Sequence, residues 1–104
     1  MAFGAGEVVH VVLVEWAESA GADTAEQASA RSTEKLTSID GVLSVTSGPN
    51  IGDEDLQGGF DWMLAVHFRD KAALDGYLPD PQHVEVATFL QESAARIVVF
   101  DVAA

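Results

Sequence analysis

The chain has 104 residues, 48% of them hydrophobic, enough for one packed core and too few for two. Five Lys and Arg stand against seventeen Asp and Glu, a formal charge of -12, so the summed field repels phosphate backbones and anionic lipids and argues against nucleic acid and membrane as partners. No cysteine is present, which removes disulfides, thiol chemistry and thiolate metal sites. The start, Met1 to Gly6, lacks the basic and apolar run of a leader, and no stretch approaches a bilayer span, so the expectation is a soluble cytoplasmic protein.

In chain order, EVVHVVLVEW from Glu7 to Trp16 is β-branched and predicts a buried strand. Period-two alternation puts His10, Val12, Val14 and Trp16 on one face and Val9, Val11, Leu13 and Glu15 on the other, and both faces are apolar enough to need cover. Thr24 is placed to cap a helix from Ala25 to about Ser38. Its inner residues, including Ala28 and Ser32, are small, so it either packs close to its neighbour or leaves space beneath it. After the Asp40–Gly41 turn, GVLSVTSG reads as a second strand, with Gly48 as a turn residue. The stretch from Gly48 to Gly59 is an acidic loop. Phe60 to Phe68 is a third strand whose core face carries Phe60, Trp62, Leu64, Val66 and Phe68. Asp70 caps a short helix from Lys71 to Tyr77, and Pro79 and Pro81 then impose an extended connector. A further helix opens near Gln82, with His83, Val86, Ala87 and Leu90 on one side, and Arg96 to Val102 is the last strand.

The order β, α, β, β, α, α, β specifies a single α+β domain, residues 1–104 with its core at 7–102: a ferredoxin-like sandwich, a four-stranded antiparallel sheet with helices on one face. The uncovered face then calls for a second copy of the chain. VVHVVLVEW, IDGVLSVTSGPNI, GGFDWMLAVHFRDKAALDGYLPDPQH and VVFDV together resemble the stress-responsive A/B-barrel (Dabb) family, the most specific element being the Tyr, Pro, His spacing of YLPDPQH. The resemblance implies a homodimer in which two sheets face each other as an α/β barrel, with Val9, Val11, Leu13, Met63 and Ala65 between them. It also implies a pocket between sheet and helices in each subunit. Some members, plant polyketide cyclases among them, close a poly-β-ketone by an intramolecular aldol reaction, and their site positions match Tyr77, His83 and His10.

Aldol closure needs a base for a carbon-bound proton and a donor to the developing oxyanion, with no cofactor and no metal. A neutral His83, beside a helix N-terminus whose dipole disfavours imidazolium, suits the first role, the Tyr77 hydroxyl the second, and His10 could orient the substrate or assist proton transfer. Each has a plainer alternative: Tyr77 as a core ring, His83 bonded to backbone, His10 as a satisfied core histidine. His67 belongs to the opposite sheet face, and Asp101 reads as a structural charge near the end of the last strand. The DED run of the loop could attract a hard cation or simply be solvated. The expected lining is Val12, Val14, Leu64, Val66 and Leu90, suited to a small apolar or polyketide-like ligand. Where the cyclases carry bulky aromatic residues, this chain has Ala28, Ser29, Ser32 and Ala94, which implies a wider or more polar cavity. The functional expectation is a cofactor-independent cyclase or lyase; the alternative is a ligand-binding or structural dimer without turnover.

Overall fold

The computed structural model describes residues 6–103; the reading made above of Met1 to Ala5 lies outside them. The elements are β1 (Val8–Trp16), α1 (Thr24–Leu36), β2 (Val42–Pro49), β3 (Trp62–Phe68), α2 (Lys71–Tyr77), α3 (Pro81–Ser93) and β4 (Ala94–Ala103). The strands form one antiparallel sheet in the order β2-β3-β1-β4. This is the ferredoxin-like α+β architecture, with all three helices on the front of the sheet. Cross-strand partners share a face, so the pairing of Val12 with Leu64 and of Val14 with Trp62 aligns two front-face rows. Those rows meet Ala28 and Leu36 of α1, Leu74 and Tyr77 of α2, and Val86 and Leu90 of α3 in one core.

Several boundaries differ from expectation for local reasons. Thr24 is the first residue of α1 and is buried, and Asp23 stands at the cap position. The Asp23 carboxylate makes no cap bond to backbone because it accepts from the Gln27 amide at 2.6 Å. The helix stops at Leu36, two residues short of Ser38. Asp70 does cap α2, its side chain accepting from the Ala73 amide at 2.8 Å. The connector before α3 is shorter than the two prolines suggested: Asp80 caps that helix by accepting from Gln82 N at 2.9 Å, and Pro81 is its first residue, where no N–H is needed. Phe60 precedes β3 rather than belonging to it, and its ring lies under the Arg96 guanidinium. Gly48 is a strand residue opposite Met63, not a turn. Gly41 is the glycine the backbone requires: its φ is +85°, and a Cβ there would overlap the Ala73 Cβ, so the turn before β2 presses directly on α2.

The rear of the sheet has no helix. Val9, Val11 and Leu13 pair there with Val102, Phe100 and Val98 of β4. Met63, Val98, Phe100 and Val102 are among the exposed large hydrophobic residues, with Phe100 65% accessible. His67 also lies on this side, with its Nε2 2.6 Å from Glu7 Oε1.

Candidate active site

β1 runs through the middle of the sheet, and its front-face His10 is only 3% exposed. Opposite it on β4 stands Asp101, and the two side chains meet at 2.5 Å between Nδ1 and Oδ1. The carboxylate can only accept, so His10 donates from Nδ1 and presents Nε2 to the front of the sheet. Asp101, read from sequence as a structural charge, is therefore a member of the site; its pairing with His10 follows from the β1–β4 register, which no local pattern in the sequence reveals.

α2 ends on Tyr77, whose ring packs edge-on against Phe68 at 4.8 Å and His10 at 5.7 Å between centroids. The residue is 1% exposed, and its hydroxyl is buried without a hydrogen-bond partner among the described residues. Burial pushes the Tyr77 pKa well above its ordinary value, and the nearby Asp101 carboxylate pushes it in the same direction. Tyr77 is thus kept as a neutral O–H donor.

His83 sits in the first turn of α3, its ring 4.3 Å from that of Tyr77. Its Nδ1 donates to the Leu78 carbonyl at 2.9 Å, which leaves Nε2 with the free lone pair. Burial lowers the His83 pKa, and the neighbouring His10 adds to this. The Leu78 bond and the Asp80 carboxylate work the other way without reversing it. A neutral imidazole with a defined tautomer results.

All three groups line one cavity of about 190 Å³ between the sheet, α2 and α3. Its polar lining is His10, Tyr77, His83 and Gln91; its apolar walls are Val12, Leu64, Val86, Leu90, Ile97 and Val99. Of the residues expected to line it, Val12, Leu64 and Leu90 do. Val14 and Val66 are fully buried in the core and do not line it. Ala28, Ser29, Ser32 and Ala94 also lie off the cavity. Ala28 and Ser32 are fully buried on the inner face of α1, Ser29 accepts from Trp62 Nε1 at 3.0 Å, and Ala94 opens β4 rather than closing α3. The small residues of α1 let it sit close to the sheet, with the Trp62 indole beside it, so they widen nothing. Gln91, Ile97 and Val99 were not anticipated; the helical spacing from His83 through Leu90 could have pointed to Gln91. Among the described residues no cluster of three or more His, Cys, Asp or Glu could hold a metal ion, and no helix is long and apolar enough to cross a membrane.

The family model for the stress responsive A/B barrel domain matches residues 8–104. The stress-response A/B barrel domain-containing protein HS1 of Arabidopsis thaliana is 25% identical over 96 residues, covering 92% of this chain and 88% of its own. A dimeric ferredoxin-like protein of unknown function from Jannaschia sp. CCS1 superposes with a TM-score of 0.84 at 26% identity, covering 95% of this chain and all of that one. The hydroxynitrile lyase of Passiflora edulis shares the fold, with a TM-score of 0.86 at 18% identity over 97% of this chain and 95% of its own. With its family match spanning nearly every residue and its fold shared with these structures, the chain belongs to the stress-responsive A/B barrel domain family.

Proposed function

We propose that the chain is a cofactor-independent enzyme that makes or breaks a carbon–carbon bond beside a carbonyl group by acid–base chemistry of the aldol type. His83 Nε2 takes the proton from the carbon next to the carbonyl, and Tyr77 donates its hydroxyl hydrogen bond to the resulting enolate oxygen. The enolate carbon attacks a second carbonyl, a C–C bond forms, and the new alkoxide recovers the proton from the His83 imidazolium. His10, held by Asp101, turns Nε2 toward the second carbonyl's surroundings and orients the substrate. Run backwards, the same steps cleave the bond. The observation that carries this reading is the Tyr77 hydroxyl: a buried donor without a partner costs about 1–3 kcal/mol, a cost that a core ring alone would avoid as phenylalanine.

The working unit in this proposal is a homodimer. Its support is the apolar rear of the sheet together with the dimeric state of the Jannaschia protein.

Heptane-2,4,6-trione is a suitable test substrate, since intramolecular aldol closure and loss of water yield 3,5-dihydroxytoluene. Tyr77→Phe and His83→Ala should each lower kcat by about a hundredfold or more, with the oligomer unchanged by sedimentation. Unchanged turnover in both variants removes the assignment. Binding of ketones without any turnover by the unaltered protein favours instead a ligand-binding dimer, to which the same cavity is equally suited.

A further inference from the structure

The cavity that holds His10, Tyr77 and His83 has a second polar end. His83 and Gln91 both face it from α3, and eight residues of helix separate them by a rise of about 12 Å. Along the sheet the same direction runs from the His10–Asp101 pair past Val12 and Val99 to Ile97. The space is therefore a trough: acid–base groups at one end, a carboxamide at the other, and aliphatic walls between. Gln91 is exposed at the mouth, where its amide offers both a donor and an acceptor.

Charge narrows the ligand further. None of the five cationic side chains, Arg31, Lys35, Arg69, Lys71 and Arg96, lines the trough, and the carboxylates that bear on its polar end are Asp101, bonded to His10, and Asp80, which acts on His83. An anionic ligand would meet repulsion from these carboxylates and no lysine or arginine to offset it. Volume sets the size, since about 190 Å³ lies below the range of roughly 300–1,000 Å³ typical for drug-sized ligands. A carrier-bound or many-ketone chain exceeds it. A single ring with groups at opposite ends spans roughly 7 Å, and a hydrogen bond of about 3 Å at each end brings the total close to the separation along α3.

We propose that the cavity takes a neutral, one-ring carbonyl compound of roughly ten non-hydrogen atoms that carries a hydrogen-bonding substituent opposite its carbonyl, and that Gln91 is the residue selecting that substituent. The orientation, carbonyl toward Tyr77, rests on the acid–base reading of Tyr77 and His83; size, neutrality and the Gln91 contact do not.

Four probes test this by calorimetric or ligand-observed NMR titration of the full chain: acetophenone, 4-hydroxyacetophenone, 4-acetylbenzoate and 4-acetylbiphenyl. The hydroxy compound should bind about five- to tenfold more tightly than acetophenone, as one good hydrogen bond allows. The carboxylate and the biphenyl should not bind measurably. Gln91→Leu should erase the preference for the hydroxy compound over acetophenone, and Tyr77→Phe should weaken both neutral ketones equally. The proposal is overturned by binding of the carboxylate or the biphenyl at comparable affinity, by a hydroxyl preference that survives in Gln91→Leu, or by no binding of either neutral ketone. Binding in the expected pattern without turnover of heptane-2,4,6-trione removes the catalytic reading and leaves the ligand class standing.

Discussion

Tyr77 is the chain's single tyrosine, so its ionisation can be read directly from tyrosinate absorbance without interference. Burial and the Asp101 carboxylate hold its folded pKa above the ordinary value of 10.0. A group whose folded value is raised contributes stability fully present below its unfolded value and lost as pH climbs toward the folded one. In a titration from pH 9 upward, tyrosinate should therefore stay absent past the usual midpoint and then appear together with the loss of far-ultraviolet circular dichroism. Tyrosinate forming near pH 10 in a fully folded chain would contradict the burial described here. His83 has the opposite sign. Its folded value lies below the ordinary 6.5, so its share of stability is present above that pH and declines as pH falls through the lowered value. The same shift keeps it in the base form at neutrality, so turnover should be level through pH 7 and fall only on the acid side of the ordinary histidine range. At this scale the sequence singled out the polar side chains that meet in one cavity, since histidine between valines and YLPDPQH both stand out. It did not show that Asp101 meets His10, because a pairing across 91 positions is set by strand register and leaves no mark in either segment.

Among the elements, α2 is the one whose placement decides the site, because it delivers Tyr77 at its last residue. Its position is set from outside: Gly41 lets the turn before β2 come into contact with Ala73, one helical turn before Tyr77. Gly41→Ala would add a methyl group that overlaps the Ala73 side chain and would strain a backbone at φ +85°. The expected cost is about 1–3 kcal/mol, read as a lower urea midpoint with unchanged m-value. Because α2 must move to accommodate it, ketone binding should weaken as well; a variant of wild-type stability would show that the contact is slack. Element type and order were legible from alternation and helical spacing, down to the Asp70 cap and the span of α2. Lateral placement was not. Periodicity identifies the inner face of α1 but not which strands that face covers, so it offers no check on the family resemblance that points Ala28, Ser29 and Ser32 at a cavity which in fact lies under α3.

For the whole molecule, the rear of the sheet is the largest unresolved demand the sequence makes, and it was visible in β1 alone as a strand apolar on both faces. Docking two such faces would bury Phe100, Met63, Val98 and Val102 together while bringing two chains of charge -12 into contact. Apolar attraction and like-charge repulsion then oppose each other, and added salt screens only the second. Sedimentation at micromolar concentration should report twice the 11.0 kDa chain mass, with dimers tightening as salt is raised. Phe100→Asp should yield a folded monomer; a monomeric wild type, or a dimer unaffected by that change, would remove the homodimer. The last strand carries a further consequence. With valines on either side, β4 would lose little greasy contact by sliding one place along β1, yet such a slide would swing Phe100 or Val102 inward and throw Asp101 out. Two side-chain pairs guard against it: Asp101 hydrogen-bonded to His10 on one surface, and Arg96 paired with Glu15 near the strand's opposite end. They act as keyed pins, so the carboxylate that fixes the direction of the His10 ring also tells the closing strand where to stop.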